Sequence, residues 1–169
     1  MRKVLKTIDA LSEWSGRLGR WLTIPLTLVM VIEVTMRYAF NHPTMWAYES
    51  SMMLGTSLYA LAFCYTERYN AHVRVDVFYV KMSPHGKAII DAIGVLVIFL
   101  PVIALVTYVS WEWMFHAWKI KEVMVQTYWY PPAYPLRTVI ALGFGLLLLQ
   151  GLAGLFRNFY LLIRNKTYD

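Results

Sequence analysis

Apolar residues in this chain run in long blocks rather than in short alternations, and four such blocks cover 21–40, 46–66, 88–118 and 136–163. A helix needs about 20 mostly apolar residues to cross the hydrocarbon of a bilayer. The pattern therefore predicts four transmembrane helices, the third and fourth long enough to tilt or project beyond it. Ahead of them, Val4, Leu5, Ile8, Leu11, Trp14 and Leu18 recur at helical spacing, while Arg2, Lys3, Lys6, Asp9 and Glu13 mostly fall elsewhere. That spacing predicts an amphipathic helix over 1–18 lying in the membrane interface. Asp9, Glu13 and Arg17 interrupt any apolar core there, so the segment is not read as a cleavable signal.

The connections carry their own signals. Ser83-Pro84 predicts a helix start, because Ser caps free N–H groups and Pro suits the first turn. Val75, Phe78, Tyr79 and Met82 fall at i, i+3, i+4 and i+7, which suggests a short lateral helix on the interface. The alternation of Val73, Val75 and Val77 leaves an extended piece open. YWYPPAYP, residues 128–135, reads as a loop that ends with Pro135 at a helix start, since three prolines remove donors and restrict their neighbours.

Composition agrees with a membrane. The 169 residues are 59% hydrophobic and only 15% charged, against about 25% charged in a soluble domain. A single all-α integral membrane domain, 1–169, is the expected fold class. The net charge of +6 clusters at the ends of the apolar runs and does not form a nucleic-acid surface. Twelve of the 16 Lys and Arg residues lie in the N-terminal stretch, between the second and third runs, or at the C-terminal end. Arg37, Lys119, Lys121 and Arg137 hold the other side, so the positive-inside rule places both termini in the cytoplasm. Trp46, Trp111, Trp113, Trp118 and Trp129 fall near the opposite ends of the runs, beside Tyr128 and Tyr130. Such rings anchor in the headgroup layer; five on one side also suit a partner contact.

Charges within the apolar runs are the candidate chemistry. Each costs about 2.5–3.5 kcal/mol on insertion scales, so it faces protein or water. Arg37 lies six residues before Pro43 and Glu49 six after it. In an antiparallel hairpin that symmetry predicts an Arg37–Glu49 ion pair. Glu33, one turn deeper at i, i+4 from Arg37, either serves the same arginine, anchors a partner, or is a proton or cation site.

His42, His72, His85 and His116 all fall in loops or near span ends, where no facing pair brackets a haem. No Cys/His metal spacing, phosphate-binding loop or nucleophile–base set is present. Glu112 and His116, at i, i+4, read as a local pair. Cys64 is the one cysteine, which excludes a disulfide framework. No enzymatic activity and no cofactor are expected. Ala141 with Gly145, and Gly151 with Gly154, are small residues suited to close helix approach.

Two motifs, RYAFNHPTMWAYE at 37–49 and HVRVD at 72–76, together with four spans, resemble the small membrane subunit, DctQ type, of tripartite ATP-independent periplasmic (TRAP) transporters. The resemblance implies a scaffold subunit in the bacterial inner membrane, packed beside a large membrane subunit and helping to dock a periplasmic binding protein. That large subunit would carry an organic anion, usually a carboxylate, inward with sodium, so sodium coupling is expected there and not in this chain. Arg37, Trp46 and Glu49 match the family's hairpin motif, and His72, Arg74 and Asp76 its cytoplasmic one. Tyr48 stands where the family often has a second acid. Glu33, Trp111, Trp113, Trp118 and Trp129 are the candidate partner contacts. Read from the residues alone, the alternative is an autonomous proton-coupled transporter working as a dimer through Glu33.

Overall fold

A computed structural model of the chain describes residues 2–69 and 82–164. Among them the regular structure is helical: α1 (Arg2–Trp21), α2 (Thr23–Tyr38), α3 (Ala47–Arg68), α4 (Pro84–Gly94), α5 (Leu100–Ile120) and α6 (Tyr134–Arg164), with a π-helical turn, Val95–Phe99, fusing α4 to α5. The expected lateral helix over 75–82 lies almost entirely outside the described residues. The expected start at Ser83 is present: its hydroxyl accepts from the Gly86 N–H at 3.2 Å, with Pro84 in the first turn. Pro135 likewise falls at the start of α6.

Two prolines set the irregularities. Pro25 has no N–H, and its ring crowds the carbonyl four residues back. The chain breaks at Leu22, whose N–H bonds to the Gly19 carbonyl at 3.0 Å. In the same way Pro101 crowds the carbonyl of Val97, and the helix relieves this by widening into the π turn just before it.

Three helices are long and apolar enough to cross a membrane among the described residues: Lys3–Tyr38, Ile89–Ile120 and Tyr134–Ile163. The expected boundary between an interfacial helix and a first span is thus a break of one residue inside a continuous run. The expected second span, 46–66, is helical as α3, about 33 Å long at 1.5 Å per residue, but is not apolar enough to join the three. Glu49, Ser50, Ser51, Thr56, Ser57 and Glu67 dilute it. The compensation is packing, since α3 lies against α1, α2 and α6.

α6 is the hub, touching α1, α3, α4 and α5. It approaches the backbone of α3 closely at Gly143, where a Cβ would fall 2.5 Å from the Ala60 carbonyl oxygen. Of the small residues expected to mediate contact, Ala141 is fully buried. Gly145 meets Trp111, Gly151 lies under the Phe99 ring, and Gly154 has open space beside it. α1 runs antiparallel to the second half of α3: Gly19 abuts Leu58 and Leu61, Gly16 abuts Tyr65, and Glu13 reaches Arg68. α2, by contrast, buries no residue.

Candidate functional site

Polar side chains concentrate at the two ends of the bundle. At the end that carries the α2–α3 turn, α2 unwinds with the Ala39 N–H on Thr35 and the His42 N–H on Met36, both at 2.9 Å. Asn41 takes a left-handed conformation, φ 49°, which asparagine tolerates because its short amide bonds locally. The returning chain lays Thr44 on Glu33. The Glu33 carboxylate accepts the Thr44 N–H at 3.0 Å and the Thr44 hydroxyl, and takes the Arg37 Nε–H at 2.9 Å.

Arg37 therefore pairs with Glu33, and the expected Arg37–Glu49 pair is not formed. Equal distance from Pro43 fixes depth along the hairpin but not rotation about each helix axis, so it does not bring Glu49 to Arg37. Spacing of i, i+4 puts Glu33 beside Arg37 whatever the turn does. Glu49 points elsewhere. It lies in the first turn of α3 with 0% exposure, one oxygen accepting the Thr127 N–H at 2.9 Å. Its other oxygen is buried without a hydrogen-bond partner among the described residues. Glu49 thus ties the α5–α6 loop to the head of α3.

That loop is built by backbone pairing. The Met124 N–H bonds to the Pro131 carbonyl and the Ala133 N–H to the Glu122 carbonyl, each at 2.8 Å, around a bridge between Val123 and Pro132. Lys121 ends α5 in a left-handed conformation, φ 51°, and Tyr130 turns the loop at φ 52°. Glu122 pairs with Arg137 of α6 at 2.9 and 3.3 Å. The hydrogen bond from that guanidinium holds the Glu122 carboxyl below the usual range, against the opposing effect of burial.

The tryptophans do not gather on one face. Trp111 and Trp113 are roughly 160° apart around the α5 axis. Trp111 lies near Gly145 and packs on Phe115. Trp118 donates its indole N–H to the Thr138 hydroxyl at 2.8 Å and packs on Tyr134. The Arg137 guanidinium sits over the Trp113 ring at 4.9 Å. All three flank α6 while keeping at least a third of their surface exposed, as does Trp129 in the loop. Trp46 is half-buried at the head of α3. His72, Arg74 and Asp76 lie outside the described residues.

The opposite end holds a second polar network, which the charge pattern alone does not predict. Asp9 accepts from Arg157 at 2.7 Å and from the Gln150 amide at 3.3 Å. The Ser12 hydroxyl donates to Gln150 at 3.0 Å. Ser15 contacts the Leu61 carbonyl at 3.1 Å and the Cys64 thiol at 2.9 Å. Arg68 donates to Glu13 and to the Asp9 carbonyl, each at 2.8 Å, and the Tyr69 hydroxyl donates to Glu13 at 2.7 Å. A signal existed in Ser12, Ser15, Gly16 and Gly19, a small-residue stripe at i, i+3, i+4 and i+7. Small residues carry little hydropathy, so the apolar stripe on the same helix obscures it in the sequence.

No group of three or more His, Cys, Asp or Glu side chains converges on a common point among the described residues. These polar groups act as ties between helices, which is what a small helical membrane subunit needs where lipid offers no hydrogen bonds. The model of the DctQ component of tripartite ATP-independent periplasmic transporters matches residues 26–160, and the chain belongs to that family. It is accordingly a membrane component of a transporter. The matched region includes the 37–49 and 72–76 motifs, while α1 lies ahead of it. No curated protein sequence matches the chain.

Proposed function

We propose that this chain is the non-catalytic scaffold subunit of a sodium-coupled TRAP transporter that imports an organic anion, with α3 as a fourth membrane crossing. It braces the large membrane subunit, helps dock the periplasmic binding protein, and sits in the bacterial inner membrane with both termini in the cytoplasm. The observation that carries this reading is where the internal carboxylates spend their bonds. Glu33 is held by Arg37 and Thr44, and Glu49 by the Thr127 amide. Both join segments of this chain, which suits a rigid brace. An ion pathway asks for carboxylates open to a changing ligand, and this weighs against Glu33 as the proton site of an autonomous transporter. Glu33, with α2 unburied around it, and Trp111, Trp118 and Trp129 are the candidate contacts for the large subunit.

The test is affinity purification of the tagged chain in mild detergent, co-expressed with its neighbouring membrane proteins. A large multi-span subunit should be recovered in equal amount, and Arg37→Ala or Glu49→Ala should lower that yield. Recovery as a homodimer that transports in liposomes, with activity abolished by Glu33→Gln, would sink the scaffold reading.

A further inference from the structure

Beside the polar cluster at the α5–α6 loop end, a trough of 360 Å³ opens between α5 and α6. Leu105, Val106, Val109 and Ile140 form its apolar walls, Ser110 lies one turn below the rim, and Trp113 and Arg137 stand at the rim. From Leu105 to Trp113 the trough follows roughly 12 Å of helix. The wall is open outward, with Leu105 64% exposed. Its polarity is graded: apolar toward the middle of the bundle, charged and aromatic at the end that carries the α5–α6 loop.

We propose that this trough binds one phospholipid with a zwitterionic head, such as phosphatidylethanolamine, its acyl chain lying along α5 and its phosphate on Arg137. Arg137 spends Nε and Nη2 on Glu122 and its face on Trp113. Its Nη1 has no hydrogen-bond partner among the described residues, and 31% of the side chain is exposed. A phosphate meets that edge with a charge-assisted bond. Glu122 stands beside it as an anion, so a head carrying an ammonium matches both partners and a purely anionic head meets one of them as repulsion. Trp113 supplies the apolar body with a polar tip that suits the ester level. The lining runs from apolar at Leu105, Val106, Val109 and Ile140 to charged at Arg137 beside Glu122, which matches the grading of a lipid from acyl chain to head. This inference needs only that the chain sits in a bilayer, not that it serves as a scaffold.

The test is native mass spectrometry of the full chain, delipidated in mild detergent and titrated with phosphatidylethanolamine. One lipid should be retained by the wild type. Val109→Trp and Leu105→Trp fill the trough, and each should cut retention roughly tenfold, the scale of a few lost methylene contacts. Leu105 is exposed enough for its replacement to leave folding intact, which unchanged thermal unfolding without lipid would verify. Arg137→Gln should weaken phosphatidylethanolamine binding. Undiminished retention in both filled variants, or phosphatidylglycerol bound as well as phosphatidylethanolamine, would overturn the assignment. So would a photo-crosslinker at Val109 that captures protein and not lipid in membranes.

Discussion

Glu49 has one oxygen on the Thr127 amide and the other buried without a partner among the described residues, so its two obvious substitutions should part company. Glu49→Gln keeps an acceptor for Thr127 and removes a buried carboxylate, and should change stability by less than about 1 kcal/mol. Glu49→Ala orphans the Thr127 N–H and leaves space, a loss of about 1–3 kcal/mol for the unsatisfied amide alone. Thermal unfolding in detergent separates the two, and equal damage from both would show that the charge itself is needed. Glu122 makes a pH-dependent counterpart. Its folded pKa is depressed by Arg137 below the ordinary 4.5, so the stabilisation is present above that value and is lost as pH falls through the folded pKa. Both side chains are partly solvated, which limits the effect to below about 1 kcal/mol. The acid limb of a melting-temperature profile should flatten in Glu122→Gln.

At the scale of elements, α1 presents three faces. Leu5, Ser12, Ser15 and Gly19 face the bundle and are buried. Val4, Leu11, Trp14, Leu18 and Trp21 face outward and are exposed, while Lys6, Arg17 and Arg20 fall on a third side. Apolar spacing alone suggested two faces, apolar and charged, and placed the helix by itself in the interface. The third face was legible only as a run of small side chains, whose meaning depends on a neighbour near enough to use them. Asp9→Asn weakens the tie to Arg157, and should speed amide exchange in α1 more than in α6. Gly143→Leu should be the more damaging change. Its Cβ meets backbone of Ala60, which has no rotamer to escape into, so α3 and α6 must separate. Overpacking of this kind costs about 1–3 kcal/mol, read as a lowered melting temperature and a reduced membrane level.

For the whole molecule, the unequal burial of the helices is the informative feature. α6 touches four other helices and α3 three, whereas α2 leaves Ile24, Leu28, Val31 and Val34 about half exposed. On the scaffold reading, a photo-crosslinking residue at Leu28 should capture the large subunit when the two are co-expressed. One at Val109 should not, because the α5–α6 trough is assigned to lipid. Capture from Val109 with silence from Leu28 would exchange the two faces.

What the sequence by itself determined was the all-helical, apolar character of the chain and its longest helices. Transfer into a bilayer sums over neighbouring residues, so Ile89–Ile120 and Tyr134–Ile163 are visible without knowledge of any partner. The start at Ser83-Pro84 and the proline-rich loop are equally local, since a cap or a missing N–H acts within one turn. Only the tertiary structure decided where the other carboxylates go. Glu33 meets Arg37 through i, i+4 spacing within α2, but the choice of Thr127 for Glu49 depends on the rotation of one helix against another. That rotation is set by close contacts such as Gly143 on Ala60 and Gly16 on Tyr65, between residues far apart in the chain. A change of one residue in register turns a helix face by about 100°, enough to send a carboxylate from a guanidinium to a loop amide.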